Sequence, residues 1–318
     1  FSLPFLQFTP RAAYRFTRLA GAVFDYHGDP LAILKGRLLA LALLIVFNLG
    51  TAVPGLAALL ALILLGLLLP WLLRNAFRFR LRNSSYRGLR FAFHGRLPQA
   101  YGVFLFFGGL GIFTGVLWPL FVSRLKRYQQ GEAAFGATRA SFQADDGAYF
   151  GIYMRASLLV LGVLALTIVA GVGLSGVEDL FPALPTNGDE AAMIQAVGTL
   201  VGIALAAMIV GSILLVGPYV AARVRNLTWN STRLGEHRFE SSMQARRLMW
   251  INLSNLALIV LTLGLFMPWA AVRTARYRAE TLTLWPGTSM DAALAAAEAD
   301  VTATGEETAE MFDVDIGL

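Results

Sequence analysis

The sequence has no cysteine and only three histidines in 318 residues. Disulfides, thiolate nucleophiles and cysteine-held metals are therefore excluded. Charge is scarce as well: 14% of residues are charged, against about 25% in an average soluble domain. None of the twenty acids falls inside an apolar run, which removes the midplane carboxylate expected of a proton-driven carrier. Base is missing from the end of the chain. All 26 Lys and Arg lie at or before Arg278, whereas residues 291–318 hold Asp291, Glu298, Asp300, Glu306, Glu307, Glu310, Asp313 and Asp315. That tail carries −8, and the remainder, 26 bases against 12 acids, carries +14. No Walker, dinucleotide or nucleophile-elbow pattern occurs. Ser157, Ser212 and Ser254 have no histidine on the same segment, so no catalytic residue and no cofactor is expected. His27, His94 and His237 lack metal-ligand spacing, so no metal is expected either. His27 and His94 precede Gly28 and Gly95 and read as turn residues.

What is present is apolar: 57% of the chain is hydrophobic. An apolar run at 38–47 leads to a second at 55–69, and the runs at 156–177, 192–217 and 248–267 exceed the roughly 18 residues of a membrane span. Residues 1–20 carry Arg11, Arg15 and Arg18 among aromatics. They lack the apolar core of a signal segment and suggest an interfacial helix.

A mark recurs four times at the ends of such runs. The copies are Leu69-Pro70-Trp71 with Arg74; Trp118-Pro119-Leu120 with Arg124; Gly217-Pro218-Tyr219 with Arg223; and Met267-Pro268-Trp269 with Arg273. Pro70 and Pro218 are 148 residues apart, and Pro119 and Pro268 are 149 apart, so the chain reads as a duplicated pair. Trp and Tyr settle at headgroup level with arginines just beyond. We therefore expect Trp71, Arg74, Trp118, Arg124, Tyr219, Arg223, Trp269 and Arg273 to be interface anchors, with anionic lipids as partners. Arginines placed after apolar runs mark topology rather than nucleic-acid binding, and no nucleic-acid partner is expected.

Each mark is followed by a short alternating segment: Arg90-Phe91-Ala92-Phe93, Arg139-Ala140-Ser141-Phe142, Arg238-Phe239-Glu240-Ser241 and Thr281-Leu282-Thr283-Leu284-Trp285. Val23-Phe24-Asp25-Tyr26-His27-Gly28 precedes the first copy. Period-2 alternation closed by Gly or Pro predicts strands, which are stable only if they pair with one another.

The charges set the expected topology. Segments 31–50, 55–73, 156–177 and 192–220 are read as spans. Segments 99–123 and 248–271 hold about 24 residues each, enough for one crossing or for a shallow hairpin. A single crossing at 99–123 would put Arg124, Lys126, Arg127, Arg139 and Arg155 outside and the acidic loop at Glu178–Glu190 inside, against the positive-inside rule. Re-entrant hairpins are preferred, and single spans stay open. The expected fold is thus an all-α polytopic membrane protein, internally duplicated, with two spans and one re-entrant hairpin per half and short strands on the cytoplasmic face. Its expected parts are 1–30, 31–137, 138–288 and the acidic tail 289–318.

Several of these residues resemble a known family. Thr262-Leu-Gly-Leu-Phe-Met-Pro-Trp269, Phe24-Asp-Tyr-His-Gly-Asp-Pro30, Asn83-Ser-Ser-Tyr-Arg-Gly-Leu-Arg-Phe91 and Met311-Phe-Asp-Val-Asp-Ile-Gly-Leu318 are similar to the signatures of the YjgN family, also called domain of unknown function 898. The resemblance implies a bacterial inner membrane and no activity, and the charges lead us to expect both termini on the cytoplasmic side.

Two functional expectations follow. The first is transport or lipid handling of an unknown substrate between two pseudo-symmetric halves. Asn48, Asn252, Asn255 and Thr262 would be its contacts, and Gly108, Gly111 and Gly264 its breaks. The second is a non-catalytic scaffold presenting a cytoplasmic platform and acidic tail to a partner such as a membrane peptidase. The tail 289–318 reads as a partner-binding peptide or as a strap over the basic face. A homo-oligomer is compatible with either expectation.

Overall fold

In a computed structural model of the 318-residue chain, the described residues are 18–19, 22–53, 55–136, 138–175, 198–199, 202, 205–206 and 208–287. The expected N-terminal helix, the acidic loop 178–190 and the tail 289–318 lie outside them.

The described chain is mostly helical. Five helices are long and apolar enough to cross a membrane: Pro30–Ala52 (α1), Leu56–Arg82 (α2), Leu97–Thr114 (α3), the Asp146–Leu166 part of Asp146–Ser175 (α5), and Met208–Asn230 (α6). Three shorter helices are Trp118–Gly131 (α4), Ala245–Leu261 (α7) and Met267–Glu280 (α8).

Nine strands pair in sequence order, each antiparallel to the next: β1 Arg18–Leu19, β2 Ala22–Tyr26, β3 Ser84–Tyr86, β4 Leu89–Phe93, β5 Ala133–Phe135, β6 Thr138–Phe142, β7 Thr232–Leu234, β8 His237–Ser241 and β9 Leu282–Trp285. The strands expected from alternation are β2, β4, β6, β8 and β9. Except for β8 and β9, they do not pair with one another. A three-residue strand (β3, β5 or β7) begins one residue after α2, α4 and α6 end and lies between those strands. These inserted strands are too short to show a period, and Asn83-Ser84-Ser85 reads in the sequence as a helix end. The pairing is staggered. Leu89 and Arg90 of β4 pair with β3, while Phe91–Phe93 pair with β5, and β6 divides in the same way. Twisted strands that change partner midway give a curled sheet.

The proline mark is locked to this sheet. Pro70, Pro119, Pro218 and Pro268 each stand 14 residues before the first residue of a strand, at Ser84, Ala133, Thr232 and Leu282. Proline does not end the helices. Pro70 lies fully buried inside α2. Pro119 sits in the first turn of α4, where its missing N–H costs nothing. Pro218 follows a π turn at Ser212–Val216, which loosens the hydrogen-bond ladder ahead of it.

The described residues form two compact units. The first runs to Tyr149 and takes in Leu227–Ser242 and the chain from Ala275, so it contains the whole sheet. One sheet face is a cluster of Tyr86, Leu89 and Phe135 with Phe24, Phe91 and Leu234 against it. Ring centroids lie 4.8 Å apart for Phe24–Tyr86 and 4.9 Å for Phe91–Phe135. Beside the sheet, α1 starts at an Asp29 cap that accepts from the Leu31 N–H at 3.1 Å. A Cβ on Gly50 would meet Ala61 Cβ at 2.5 Å, so α1 and α2 approach at small residues. In the same way, Gly108 and Gly111 let α3 close on Phe121 and Trp118 of α4. Outward, α1 and α2 expose a continuous apolar surface that includes Leu44, Leu49, Leu56, Leu60 and Leu67.

The second unit holds Phe150–Asn226 and Met243–Thr274. Within it α7 and α8 fold back on each other, joined by Thr262–Phe266.

Candidate functional site

Each helix pair is inserted between two hydrogen-bonded neighbouring strands. β2 and β3 flank α1–α2, β4 and β5 flank α3–α4, β6 and β7 flank α5–α6, and β8 and β9 flank α7–α8. A hydrogen bond of one kind closes every foot. The residue after the long strand donates its N–H to the carbonyl at the far helix end: His27 to Asn83, His94 to Glu132, Gln143 to Ser231 and Ser242 to Thr281, at 2.8–3.0 Å. A pair so pinned leaves the sheet and returns to it.

A second layer of polar contacts lies just inside these feet. The Arg74 Nε donates to the Gly95 carbonyl at 3.0 Å, and an Arg127 guanidinium N–H donates to that of Ala144 at 3.1 Å. Asn226 donates to the Met243 carbonyl and accepts from its N–H. The densest node is at Asp146, the first residue of α5. Its carboxylate accepts from the Ser123 hydroxyl and from Arg124 at 2.7 Å, with Arg127 at 3.8 Å. Arg124 also lies over the Phe107 ring at 5.3 Å, and its buried Nε has no acceptor among the described residues. A carboxylate at a helix N-terminus is further favoured by the helix dipole. Sequence reasoning missed Asp146 and Ser123; the available signal was an acid at the first position of a helix.

The motif Phe-x-aromatic-His-Gly has a steric cause. The Tyr26 ring folds over Gly28 and the Phe93 ring over Gly95, where an added Cβ would meet ring carbon at 2.5 Å. At Gly95 the Tyr128 hydroxyl adds a contact at 2.7 Å. Gly95→Ala is therefore expected to cost about 1–3 kcal/mol by overpacking, while Gly102→Ala, which meets nothing within 4 Å, costs little. Thermal unfolding of both variants in detergent checks this, and equal melting temperatures would refute it. Burial pushes the Tyr128 phenol up to about 12 against the opposing pull of Arg74. It stays protonated and donates to the Arg96 carbonyl at 3.5 Å. His27 Nδ1 lies 3.5 Å from the Ser85 hydroxyl, and the buried His237 accepts from the Gly287 N–H. Among the described residues no group of three or more His, Asp or Glu side chains could hold a metal.

The polar residues proposed from sequence fall in separate places. Asn48 donates to the Leu44 carbonyl of its own helix at 2.8 Å. Asn255 is buried between α7 and α8. It donates to the Ala270 carbonyl and to the Thr274 hydroxyl and accepts from Arg273 at 3.3 Å. Arg273 also donates to Ser254 at 2.8 Å. Asn252 is half-buried one turn away. Thr262 donates to the Leu258 carbonyl, ending α7, and accepts from the Phe266 N–H, starting α8. Gly264 supplies a φ of 95° in that turn. Among the anchors, Trp71, Trp118 and Tyr219 are half-buried, Arg223 stacks over Tyr219 at 5.8 Å, and Trp269 is exposed.

The hairpin tips are wholly apolar apart from the self-bonded Thr114 and Thr262. Phe113 is 92% exposed and Leu263 95%. From Gly115 to Arg124 is nine residues, and from Leu263 to Arg273 ten, about 13 and 15 Å along a helix. From Gly55 to Arg74 is nineteen, about 28 Å.

On the face of the sheet opposite the aromatic cluster, Arg90, Arg139, Arg233 and Arg238 are exposed, together with Asp25 and Glu240, and the Glu240 carboxylate accepts from the Trp285 indole N–H at 2.7 Å. Small residues of that face, Ser85 and Ala134, are buried. Arg233 pairs directly with Arg238 across β7 and β8.

A family model described as a bacterial protein of unknown function (DUF898) matches residues 10–311. No curated protein and no solved structure matches the chain.

Proposed function

The chain belongs to the DUF898 family, a description that assigns no activity, and we propose that it is a membrane-anchored platform presenting a basic sheet to an acidic polypeptide. The observation that carries this reading is the Arg233–Arg238 pair. Like charges directly opposite each other in a sheet are unfavourable, and Arg139 and Arg90 lie on the same face, which carries four arginines against the two exposed acids Asp25 and Glu240. Among the described residues no acid forms an ion pair with any of the four. An acidic partner would relieve the repulsion.

In this reading α1–α2 and α5–α6 cross the bilayer. The tips of α3–α4 and α7–α8 reach about its midplane, because a hydrocarbon core of about 30 Å is twice the distance from tip to first arginine. The arginine-rich feet and the sheet lie on the cytoplasmic side of a bacterial inner membrane, and the recurrent spacing reflects internal duplication. The arginine stripe lies beside the strand turns, a further three to four strand residues beyond helix ends that themselves continue seven or eight residues past Arg74 or Arg124. That puts it about 20 Å from the headgroups if the elements stand upright, so a soluble polypeptide suits it better than the membrane beneath. Transport and lipid handling would use the same hairpins. The polar groups offered for that role close helix turns or join α7 to α8, which leaves the platform the better supported reading.

The test is binding of polyglutamate to the purified full chain in nanodiscs. Binding should weaken at least 10-fold when Arg139, Arg233 and Arg238 are changed to Glu together, and should fall with salt. Unchanged binding by the triple variant would end the platform reading.

A further inference from the structure

β9 is the last strand of the sheet, and its outer edge has no partner among the described residues. An open edge offers unpaired N–H and C=O groups to any extended segment. On β9, Leu282 and Leu284 are half-buried while Thr283 and Trp285 are exposed. Leu284 pairs with Phe239 on the apolar face, and Trp285 pairs with Arg238 on the arginine face.

The chain beyond β9 fits that edge. Gly287 donates its N–H to His237 Nδ1 at 3.3 Å, and a Cβ on it would strike Glu236 at 2.6 Å. The tail therefore leaves β9 on its β8 side, beside the β7–β8 turn, and reaches the outer edge only by doubling back through 288–311. Its last residues, Phe312-Asp313-Val314-Asp315-Ile316-Gly317-Leu318, alternate strictly, with apolar side chains on one side and acid or glycine on the other. This is the period of a half-buried strand, and it matches both faces of β9. The 24 intervening residues, 288–311, could extend about 80 Å, so reach does not limit the return.

We propose that residues 312–318 add to β9 as a tenth, antiparallel strand. Phe312, Val314 and Ile316 continue the apolar face. Asp313 and Asp315 lie on the arginine face, two strand spacings, about 10 Å, from Arg238 and from Glu240, whose carboxylate is held by the Trp285 indole. The tail then covers part of the surface that the platform reading assigns to an acidic partner, and the proposal deepens that reading by making the tail its resident competitor. A partner engages by displacing Asp313 and Asp315.

Hydrogen exchange of the full chain in nanodiscs tests this. The amides of Leu282–Trp285 that point away from β8 should exchange at least 10-fold more slowly in the full chain than in a chain ending at Thr288. Asp313→Lys/Asp315→Lys should lose the same protection at full length, and Glu306→Gln/Glu307→Gln should keep it. If truncation also speeds exchange at Leu89–Phe93, the length-preserving Lys variant decides. Equal exchange at β9 in the full chain and the Lys variant would overturn the tail strand. Polyglutamate binding is read separately. Protected β9 amides without polyglutamate binding to the shortened chain would keep the tail strand and discard the platform; the converse would discard the tail strand alone.

Discussion

Leu263→Asp is expected to destabilise the protein in the bilayer by about 2.5–3.5 kcal/mol, the cost of an acid set deep in hydrocarbon, and Phe113→Asp by a similar amount. Both side chains stand at the tips of helical hairpins and are almost fully exposed. An exposed tip in water would be built from polar turn residues. These tips read Ile112-Phe113-Thr114-Gly115-Val116-Leu117 and Leu261-Thr262-Leu263-Gly264-Leu265-Phe266, and their two hydroxyls are spent on their own helices. Leu263 even holds a left-handed φ of 50°, a conformation in which Asn or Gly is easier than Leu. That makes Leu263→Asn a two-way test. With the tip in water the substitution relieves the backbone and raises the melting temperature; with the tip in lipid it buries an amide and lowers it. The absence of cysteine gives a second readout without further engineering. Phe113→Cys and Leu263→Cys should resist a membrane-impermeant maleimide from both sides, whereas Arg139→Cys should react from the sheet side. Rapid labelling of Leu263→Cys, or a melting temperature raised by Leu263→Asn, would sink the buried-tip reading.

The sides on which Arg124–Arg155 and the acidic loop would fall favoured re-entrant hairpins over single spans at 99–123 and 248–271. In the structure the chain reverses at Gly115 and at Thr262–Phe266, and the place of these turns in a bilayer belongs to the proposal. Alternation likewise found β4 from Arg90-Phe91-Ala92-Phe93, because a five-residue strand with one apolar face leaves a period. Three residues do not, so Ser84–Tyr86, Ala133–Phe135 and Thr232–Leu234 stayed hidden, and with them the stagger of the sheet. Pro70 was legible as part of a repeated mark inside the span 55–73. Its burial inside α2 depends on tertiary packing that no local signal carries. The arginine stripe needed the register: only when Ser141, Arg233 and Arg238 are known to be neighbours do scattered basic residues become one face. Asn48, Asn252, Asn255 and Thr262 were legible as polar groups within apolar runs, whereas the bond of Asn48 to its own helix and the bridge of Asn255 from α7 to α8 are properties of the folded chain alone.

The other large effect is expected at Asp146. The carboxylate holds Ser123, Arg124 and Arg127 together, and its side chain and that of Arg124 are about one-quarter and one-third exposed, 27% and 36%. A fully buried pair loses about 3–5 kcal/mol when one partner goes, and a surface pair about 0–1. Between these limits, Asp146→Asn should cost about 1–3 kcal/mol. The loss falls mainly on Arg124. Among the described residues its Nε already lacks an acceptor, and without the carboxylate the support that remains there is the face of the Phe107 ring. Removing the stranded charge should then help: Asp146→Asn with Arg124→Gln is expected to recover half or more of the loss, although Arg124→Gln alone is itself destabilising. Such non-additivity is the signature of a shared node and is read from a thermal double-mutant cycle in detergent. Additive costs, or a single-variant loss below about 0.5 kcal/mol, would mean that α5 is held to the sheet by its backbone feet, through Gln143 and Ser231, and that the ion pair is incidental to the fold.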